Sequence, residues 1–580
     1  MNKIHYFLLL MLGVVLIACN PVHPDDPVTP PTEDTTQKPL TEWEILDTTY
    51  TVRDYTVPSH TMFKIALTAC AADPTEANVA AVRTAIDKLV PKTEPYCMVA
   101  TINGDPKTQM GFCWFTNDSV FDGVVQLVPQ ANATEADFES ATTVQATTTR
   151  TKGLRYIGKV RYIANLSGIS AGTRYKYISH KALATGLAPG TEYSWRVGYE
   201  GHWSPIGHFR TQDASQGEYS FIYMSDSHIM NDEYIKYARR CAIAAAKTVP
   251  EARFCVFPGD FVEDGDASNS EWEWERWFEE SLNPVIMQMP IVPTDGNHDD
   301  SPNINYTYHF NTDKSFNEVY TDKPQFEGIV YSFVYGNALF LVFSMQDFWR
   351  ESYTYTPYAS TYLTDHISQW FAQKVTENPN TKYRISLSHF NLFSGSDHST
   401  DEEPPLFRAC MLPTMKQCQI DVALQGHDHT YEVIGPVNPD SLTPILSAIT
   451  DREIVDINTN KNITGYKGGT YCTDEGTLYF IGATCGRKRY YPHSRQRMEN
   501  EYTDDPSLLH DNKHHNVKNY FDLFTGMFGQ PEAPCFTKIT VKDDCLEFNS
   551  YTADDDQGNA TLINTMRVVR TTPHNLVLNN

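Results

Sequence analysis

From Tyr96 onward the chain reads as short apolar runs broken by turn residues. Met98–Ile102, Gln109–Phe115, Val124–Val128, Tyr156–Tyr162, Tyr175–His180 and Tyr193–Val197 predict the strands of an antiparallel sandwich over residues 96–213. After Gln212 the pattern changes to strand–loop–helix alternation. Strands are predicted at Tyr219–Met224, Phe254–Phe257, Ile291–Thr294, Tyr383–Leu387 and Val422–Leu424, with a hairpin of Ile329–Val334 and Ala338–Met345 around Gly336-Asn337. Helical spacing marks Glu233–Val249, Trp272–Leu282 and Thr361–Val375. Alternation of this kind predicts an α/β fold over 214–485, a layered core of two β-sheets flanked by helices. Residues 486–533 are polar and aromatic and read as an excursion. Phe536–Val541 and Leu546–Tyr551 predict a hairpin within the tail 534–580. Residues 42–95 have helical composition between Thr75 and Lys92 but no clear place in the fold.

The first 41 residues are of another kind. An apolar run from Tyr6 to Ile17 follows Lys3 and is too short to span a bilayer, so residues 1–18 read as a signal peptide. Leu16-Ile17-Ala18-Cys19 resembles a bacterial lipobox, which implies lipidation of Cys19. Asn20, rather than Asp, follows it and points to the outer membrane. Residues 19–41 carry six prolines between 20 and 39 and read as a stiff tether. The expected location is therefore the cell envelope, with the membrane reached through the anchor.

Composition narrows the function. The 580 residues carry 46 Lys+Arg against 72 Asp+Glu, a net charge of −26, which argues against nucleic acid as a partner. Small phosphorylated substrates stay open, because metal ions can supply local positive charge. Hydrophobic residues make up 41% of the chain, enough for a large core. Of twelve cysteines, eleven remain after Cys19; Cys410 and Cys418 are spaced to pair, and no Cys-x-x-Cys suggests thiolate zinc.

Five loops follow predicted strands: Asp226-Ser227-His228, Gly259-Asp260, Gly296-Asn297-His298-Asp299, His389 and Gly426-His427-Asp428-His429. The carboxyl ends of strands in α/β sheets converge on a crevice, so these side chains can meet. Carboxylate, imidazole and amide oxygen together suit Fe, Zn or Mn, and one carboxylate can bridge two ions. Such a pair holds a hydroxide and clamps a tetrahedral phosphorus.

In this order the loops resemble the calcineurin-like metallophosphoesterase superfamily. Leu187-Ala188-Pro189-Gly190-Thr191-Glu192-Tyr193, with its tyrosine corner, resembles the fibronectin type III-like N-terminal domain of purple acid phosphatases, and Ser388–Gly395 is similar to their histidine loop. The resemblance implies one metal on Asp226, His228, Asp260 and His429, and a second on Asp260, Asn297, His389 and His427, with Asp260 shared. It implies that His298 stabilises or protonates the leaving oxygen, with Asp299 orienting its imidazole. Two departures stand out. Glu263 occupies the place of an iron-binding tyrosine, and His228 has no counterpart in the true purple enzymes; no purple absorption is expected. Arg487, Lys488 and Arg489 are further candidates for phosphate, His510, His514 and His515 for metal, and Tyr490, Tyr491, Tyr520, Phe521 and Phe524 for an aromatic wall. Phe348–Arg350 follows a strand and is a candidate for the cleft lining. The expected function is hydrolysis of phosphate monoesters by in-line attack of metal-bound hydroxide. The alternatives are a phosphodiesterase or nucleotide pyrophosphatase, and a surface binding lipoprotein with a vestigial metal site.

Overall fold

The computed structural model describes residues 93–574 and a few positions between 69 and 81. Within that span it leaves out 118, 152–154, 157–173, 176, 264, 266–270, 300–303, 324–325, 347–361, 402, 441–442, 445–467 and 493–523. The signal peptide, Cys19, the tether, nearly all of 42–95, most of Tyr156–Tyr162, Phe348–Arg350, His510, His514, His515, Tyr520 and Phe521 lie outside the described residues.

Two large sheets form the α/β half. In the first, Tyr219–Tyr223, Cys255–Pro258 and Ile291–Thr294 run parallel. Their residues are buried on both faces, as continuous apolar runs require. In the second, Ala338–Val342, Tyr383–Leu387, Val422–Gln425 and Thr477–Gly482 run parallel. The hairpin partner Tyr331–Tyr335 flanks one side, and Tyr431–Asn438 pairs antiparallel on the other. The hairpin turns at Gly336, whose φ of +57° a side chain would resist.

Aromatic packing joins the sheets. Phe221 meets Phe340 edge-on at 5.5 Å and stacks on Phe254 at 5.0 Å. Each such buried Phe contributes on the order of 2–3 kcal/mol. Polar bolts fix the register between sheets: the Tyr331 hydroxyl donates to the Pro293 carbonyl at 2.7 Å, and Tyr223 donates to the Gln425 carbonyl. Helix Asp232–Thr248 starts at Asn231, whose side chain accepts from the Glu233 and Tyr234 amides. It buries Ile235, Ala238, Cys241, Ala242 and Ala245. The predicted helices at 272–282 and 361–375 both form, but each contains a π segment, Trp277–Ser281 and Tyr362–Ile367.

The sandwich has Met110–Asn117 and Tyr177–Ala184 in one sheet and Val124–Val128 and Glu192–Tyr199 in the other. Phe112 of the first packs on Trp195 at 5.2 Å and on Phe209 at 5.9 Å. The Tyr193 hydroxyl accepts from the Ala188 amide at 3.0 Å, closing the expected tyrosine corner. The two halves share a sheet: Tyr96–Thr101 pairs parallel with Ile291–Thr294, so one sheet of the sandwich continues into the α/β core. Asn311 seals this junction, accepting from Thr101 and Asn103 at its carbonyl and donating to Ala182 at 2.8 Å.

The C-terminal hairpin gains a third strand. Cys535–Val541, Leu546–Ala553 and Ala560–Val569 form an antiparallel run that pairs with Tyr219–Tyr223. The expected excursion returns as strand Phe524–Gly529, beside Tyr431–Asn438. Helix Glu403–Gln417, unmarked by clear periodicity, lies between the histidine loops. Cys410 within this helix and Cys418 just after it, candidates to pair, form no disulfide with each other.

Candidate metal centre

Five parallel strands from two sheets end on one crevice. Asp226 and His228 follow Tyr219–Tyr223, Asp260 follows Cys255–Pro258, and Asn297 follows Ile291–Thr294. His389 follows Tyr383–Leu387, and His427 and His429 follow Val422–Gln425. Side chains more than two hundred residues apart meet there. Ligand atoms of Asp226, His228, Asp260 and His429 lie within 4.8 Å of one another, as do those of Asp260, His389 and His427. Asp260 belongs to both groups. Its Oδ2 is 3.1 Å from His228 Nε2 and 3.2 Å from His389 Nε2. Asn297 Oδ1 reaches His389 Nε2 at 3.0 Å.

The backbone is bent to achieve this. Among the described residues eight non-glycine residues have positive φ, and four are Asp226, His228, Asp260 and His427. Such conformations cost roughly 1–2 kcal/mol each and persist where surrounding structure enforces them. The glycines beside them permit close approach. A Cβ on Gly259, at φ +83°, would sit 2.6 Å from the Gly296 nitrogen and 2.7 Å from His389 Nδ1. Trp277 donates to Ser227 Oγ at 3.1 Å and pins the first ligand loop to the π segment.

The donor atoms suit cations. His228 Nδ1 bonds Glu263 at 2.7 Å and His389 Nδ1 bonds the Pro258 carbonyl at 2.7 Å, so each Nδ1 carries a proton and each Nε2 is the nitrogen turned inward. There it faces another nitrogen: His228 Nε2 is 2.9 Å from His429 Nε2, and His389 Nε2 is 3.2 Å from His427 Nδ1. Buried Asp226 Oδ2 accepts no hydrogen bond. Converging lone pairs and a bare carboxylate oxygen repel one another unless a cation or protons lie between, and this N/O set matches Zn, Mn or Fe. Burial depresses His429, to about 3, and His427 well below the ordinary imidazole value. Burial also works against charge on His228 and His389, but the Asp260 carboxylate outweighs it and holds each at about 9.

Asp299 does not meet its expected task. Its carboxylate accepts four backbone N–H bonds, from Gly296 and Phe261 at 2.7 Å, Asp260 at 2.8 Å and Val262 at 3.3 Å. It staples the Asp260 loop to the Asn297 loop. The His298 imidazole is oriented by the Glu263 carbonyl instead, at 2.7 Å from Nδ1. The His298 side chain is 28% exposed, whereas those of His228, His389 and His429 are at most 1%. It is thus more open to solvent than those three imidazoles.

The parts played by three residues were not foreseen from the sequence. Glu263 buttresses His228, as a carboxylate behind a ligating imidazole does. His398 stacks on His427 at 3.7 Å and bonds Asp401 at 2.6 Å. Tyr490, expected only in an aromatic wall, lies flat on His429 at 4.4 Å. A lone His in a Ser/Asp loop carries no spacing signal, so nothing in the sequence pointed to His398. Arg487 and Arg489 do not face the centre: both guanidinium groups lie over Tyr237, at 5.7 and 5.4 Å. Tyr491 is exposed and bonds Glu532.

Residues 219–431 match the family model of calcineurin-like phosphoesterases, and residues 95–211 match that of the purple acid phosphatase N-terminal domain. Residues 219–431 are a calcineurin-like phosphoesterase domain. Two uncharacterized proteins of Mycobacterium tuberculosis, Rv2577 and MT2654, are each 22% identical to the chain over 294 residues, or 46% of it. The chain spans about half their length, 53%. The purple acid phosphatase PPD1 from yellow lupin (Lupinus luteus) seeds superposes with a TM-score of 0.56 at 13% identity, covering 82% of this chain and 74% of that one. At that identity the likeness is one of fold. The phosphoesterase domain and its sandwich thus share an architecture with that enzyme.

Proposed function

We propose that the chain is a hydrolase of small phosphate monoesters that works with two metal ions. The observation that carries this reading is the pair of buried donor groups sharing Asp260. Asp226, His228, Asp260 and His429 would hold one ion, and Asp260, Asn297, His389 and His427 the other. Two such ions supply Lewis acidity and a nucleophile at neutral pH. The chain supplies the rest. Asn297 presents its amide beside the phosphoryl oxygens. His298, with Nδ1 on the Glu263 carbonyl, leaves Nε2 free to place a proton on the leaving oxygen when the ring enters the reaction as the doubly protonated imidazolium. Asp299 keeps the two loops in register.

Elemental analysis of purified protein, beside a panel of phosphate mono- and diesters, tests the reading. Two equivalents of transition metal with monoester turnover are expected, and His298→Ala should lose turnover while staying folded and loaded. A protein that binds no metal and hydrolyses neither class would overturn it. Turnover of diesters alone would make the chain a diesterase. We also propose that it acts from the cell envelope through a lipid on Cys19; unchanged palmitate incorporation in Cys19→Ala would refute that.

A further inference from the structure

The Arg487-Lys488-Arg489 run follows strand Thr477–Gly482, and its side chains divide: the two arginines lie over Tyr237, while Lys488 reaches Glu263. Arg487 pairs with Glu233 at 2.8 Å and, like Arg489, covers Tyr237. Lys488 Nζ lies 3.5 Å from Glu263 Oε2, the oxygen that also takes His228 Nδ1. That contact is long, and the Lys488 side chain is 23% exposed, so the ammonium remains open to a ligand.

The segment is built onto the centre. Thr484 Oγ1 donates to the Asp226 carbonyl at 2.6 Å, and the Cys485 amide to the Ser225 carbonyl at 2.8 Å. A Cβ on Gly486 would lie 2.5 Å from the Ser227 carbonyl, so the chain passes flush against the first ligand loop. At the far end Tyr490 lies parallel to His429, within 9°, and Gln530 donates to the carbonyls of both, at 2.7 and 2.8 Å. Lys488 is therefore held at the rim between two fixed points.

Charge indicates its use. Among the carboxylates in contact with the ligand imidazoles, Asp226, Asp260 and Glu263 carry three negative charges. His398 is paired with Asp401. Lys488 adds one positive charge at the rim whatever cations are held, and a dianionic monoester gains more from that charge than a monoanionic diester.

We propose that Lys488 is a specificity-determining residue that favours dianionic phosphate monoesters over monoanionic diesters. This rests on the phosphoesterase reading above. An extra unit charge on the ligand, several ångströms from a partly screened ammonium, is worth about tenfold in binding. The test uses the full-length, metal-loaded protein with Lys488→Met and Lys488→Arg. Inorganic phosphate binding is measured by calorimetry, turnover with 4-nitrophenyl phosphate and bis(4-nitrophenyl) phosphate, and metal content by mass spectrometry. Lys488→Met should lower monoester kcat/KM about tenfold more than diester kcat/KM, mostly through KM, and should weaken phosphate binding by at least about tenfold. Metal content should stay at wild-type level, and Lys488→Arg should restore the preference. An unchanged monoester-to-diester ratio would overturn the proposal. So would loss of metal from Lys488→Met with both activities falling together, since that would mark a support for Glu263. If the wild type binds metal but cleaves neither ester, the phosphoesterase reading fails separately; an undiminished phosphate affinity in Lys488→Met then overturns this proposal too.

Discussion

Replacing Asp299 by Ala removes the acceptor of four buried backbone N–H groups. Three of those bonds are 2.8 Å or shorter, from Gly296, Asp260 and Phe261. Each buried donor left without an acceptor costs roughly 1–3 kcal/mol; at the lower half of that range, the three short bonds make Asp299→Ala destabilising by roughly 3–6 kcal/mol. Unfolding entropy near 2.1 cal/mol/K per residue, over several hundred ordered residues, makes about 1 kcal/mol per degree, so Tm should fall by roughly 3–6 °C. Asn is no rescue, because its amide N–H2 would confront backbone donors; it should recover at most about half of the loss. The Asp260 and Gly296 amides flank the shared ligand and the Asn297 loop, so metal content should fall along with Tm. Differential scanning calorimetry and elemental analysis measure both. A role in orienting the His298 imidazole would give a different result: kcat would drop with Tm and metal content intact. That outcome would refute the staple.

Other sites give independent tests. Gly259→Ala places a methyl group against the Gly296 backbone and His389 at positive φ; a loss of roughly 2–5 kcal/mol and of metal at the His389 side is expected, readable by denaturant unfolding and metal titration. His180 is buried, stacked on Trp114 at 5.2 Å, and burial lowers it to about 4. Its folded value is below the unfolded value near 6.5, so the unfolded state binds the extra proton and stability falls as pH drops from about 6.5 to 4. The limit is on the order of 3 kcal/mol, and His180→Gln should flatten that part of the pH–stability curve measured by urea unfolding. His228 and His389, held at about 9 without metal, must shed protons to bind it. Metal uptake at pH 7.5 should therefore release protons and weaken as pH falls; calorimetric heats independent of buffer ionisation enthalpy would contradict this.

Much of the centre was legible because its chemistry is local. Asp, Asn and His directly after apolar runs mark strand-end loops, and the runs at Tyr219, Cys255, Ile291, Tyr383 and Val422 are strands. Type and order of residue placed the five loops, and the family resemblance they carry supplied the seven expected ligands with Asp260 shared. Local pattern also marked the tyrosine corner and the Gly336 hairpin, since a turn needs only its own few residues. What eluded it depends on contacts between distant segments. Asp299 follows His298 in the chain, yet its carboxylate turns to the Phe261 and Val262 amides, an orientation set by the packing of two loops. Lys488 and its arginine neighbours are indistinguishable by composition; only the placement of Tyr237 and Glu263 on opposite sides separates their roles. The left-handed backbone at Asp226, His228, Asp260 and His427 has no residue signature, because these are not glycines and the strain is imposed from outside. Residue chemistry along the chain marked the loops, and the resemblance they carry named the expected ligands. Gathering them around Asp260 required two sheets to pack with their strand ends on one crevice, and that arrangement comes from burial and pairing energies summed over hundreds of residues.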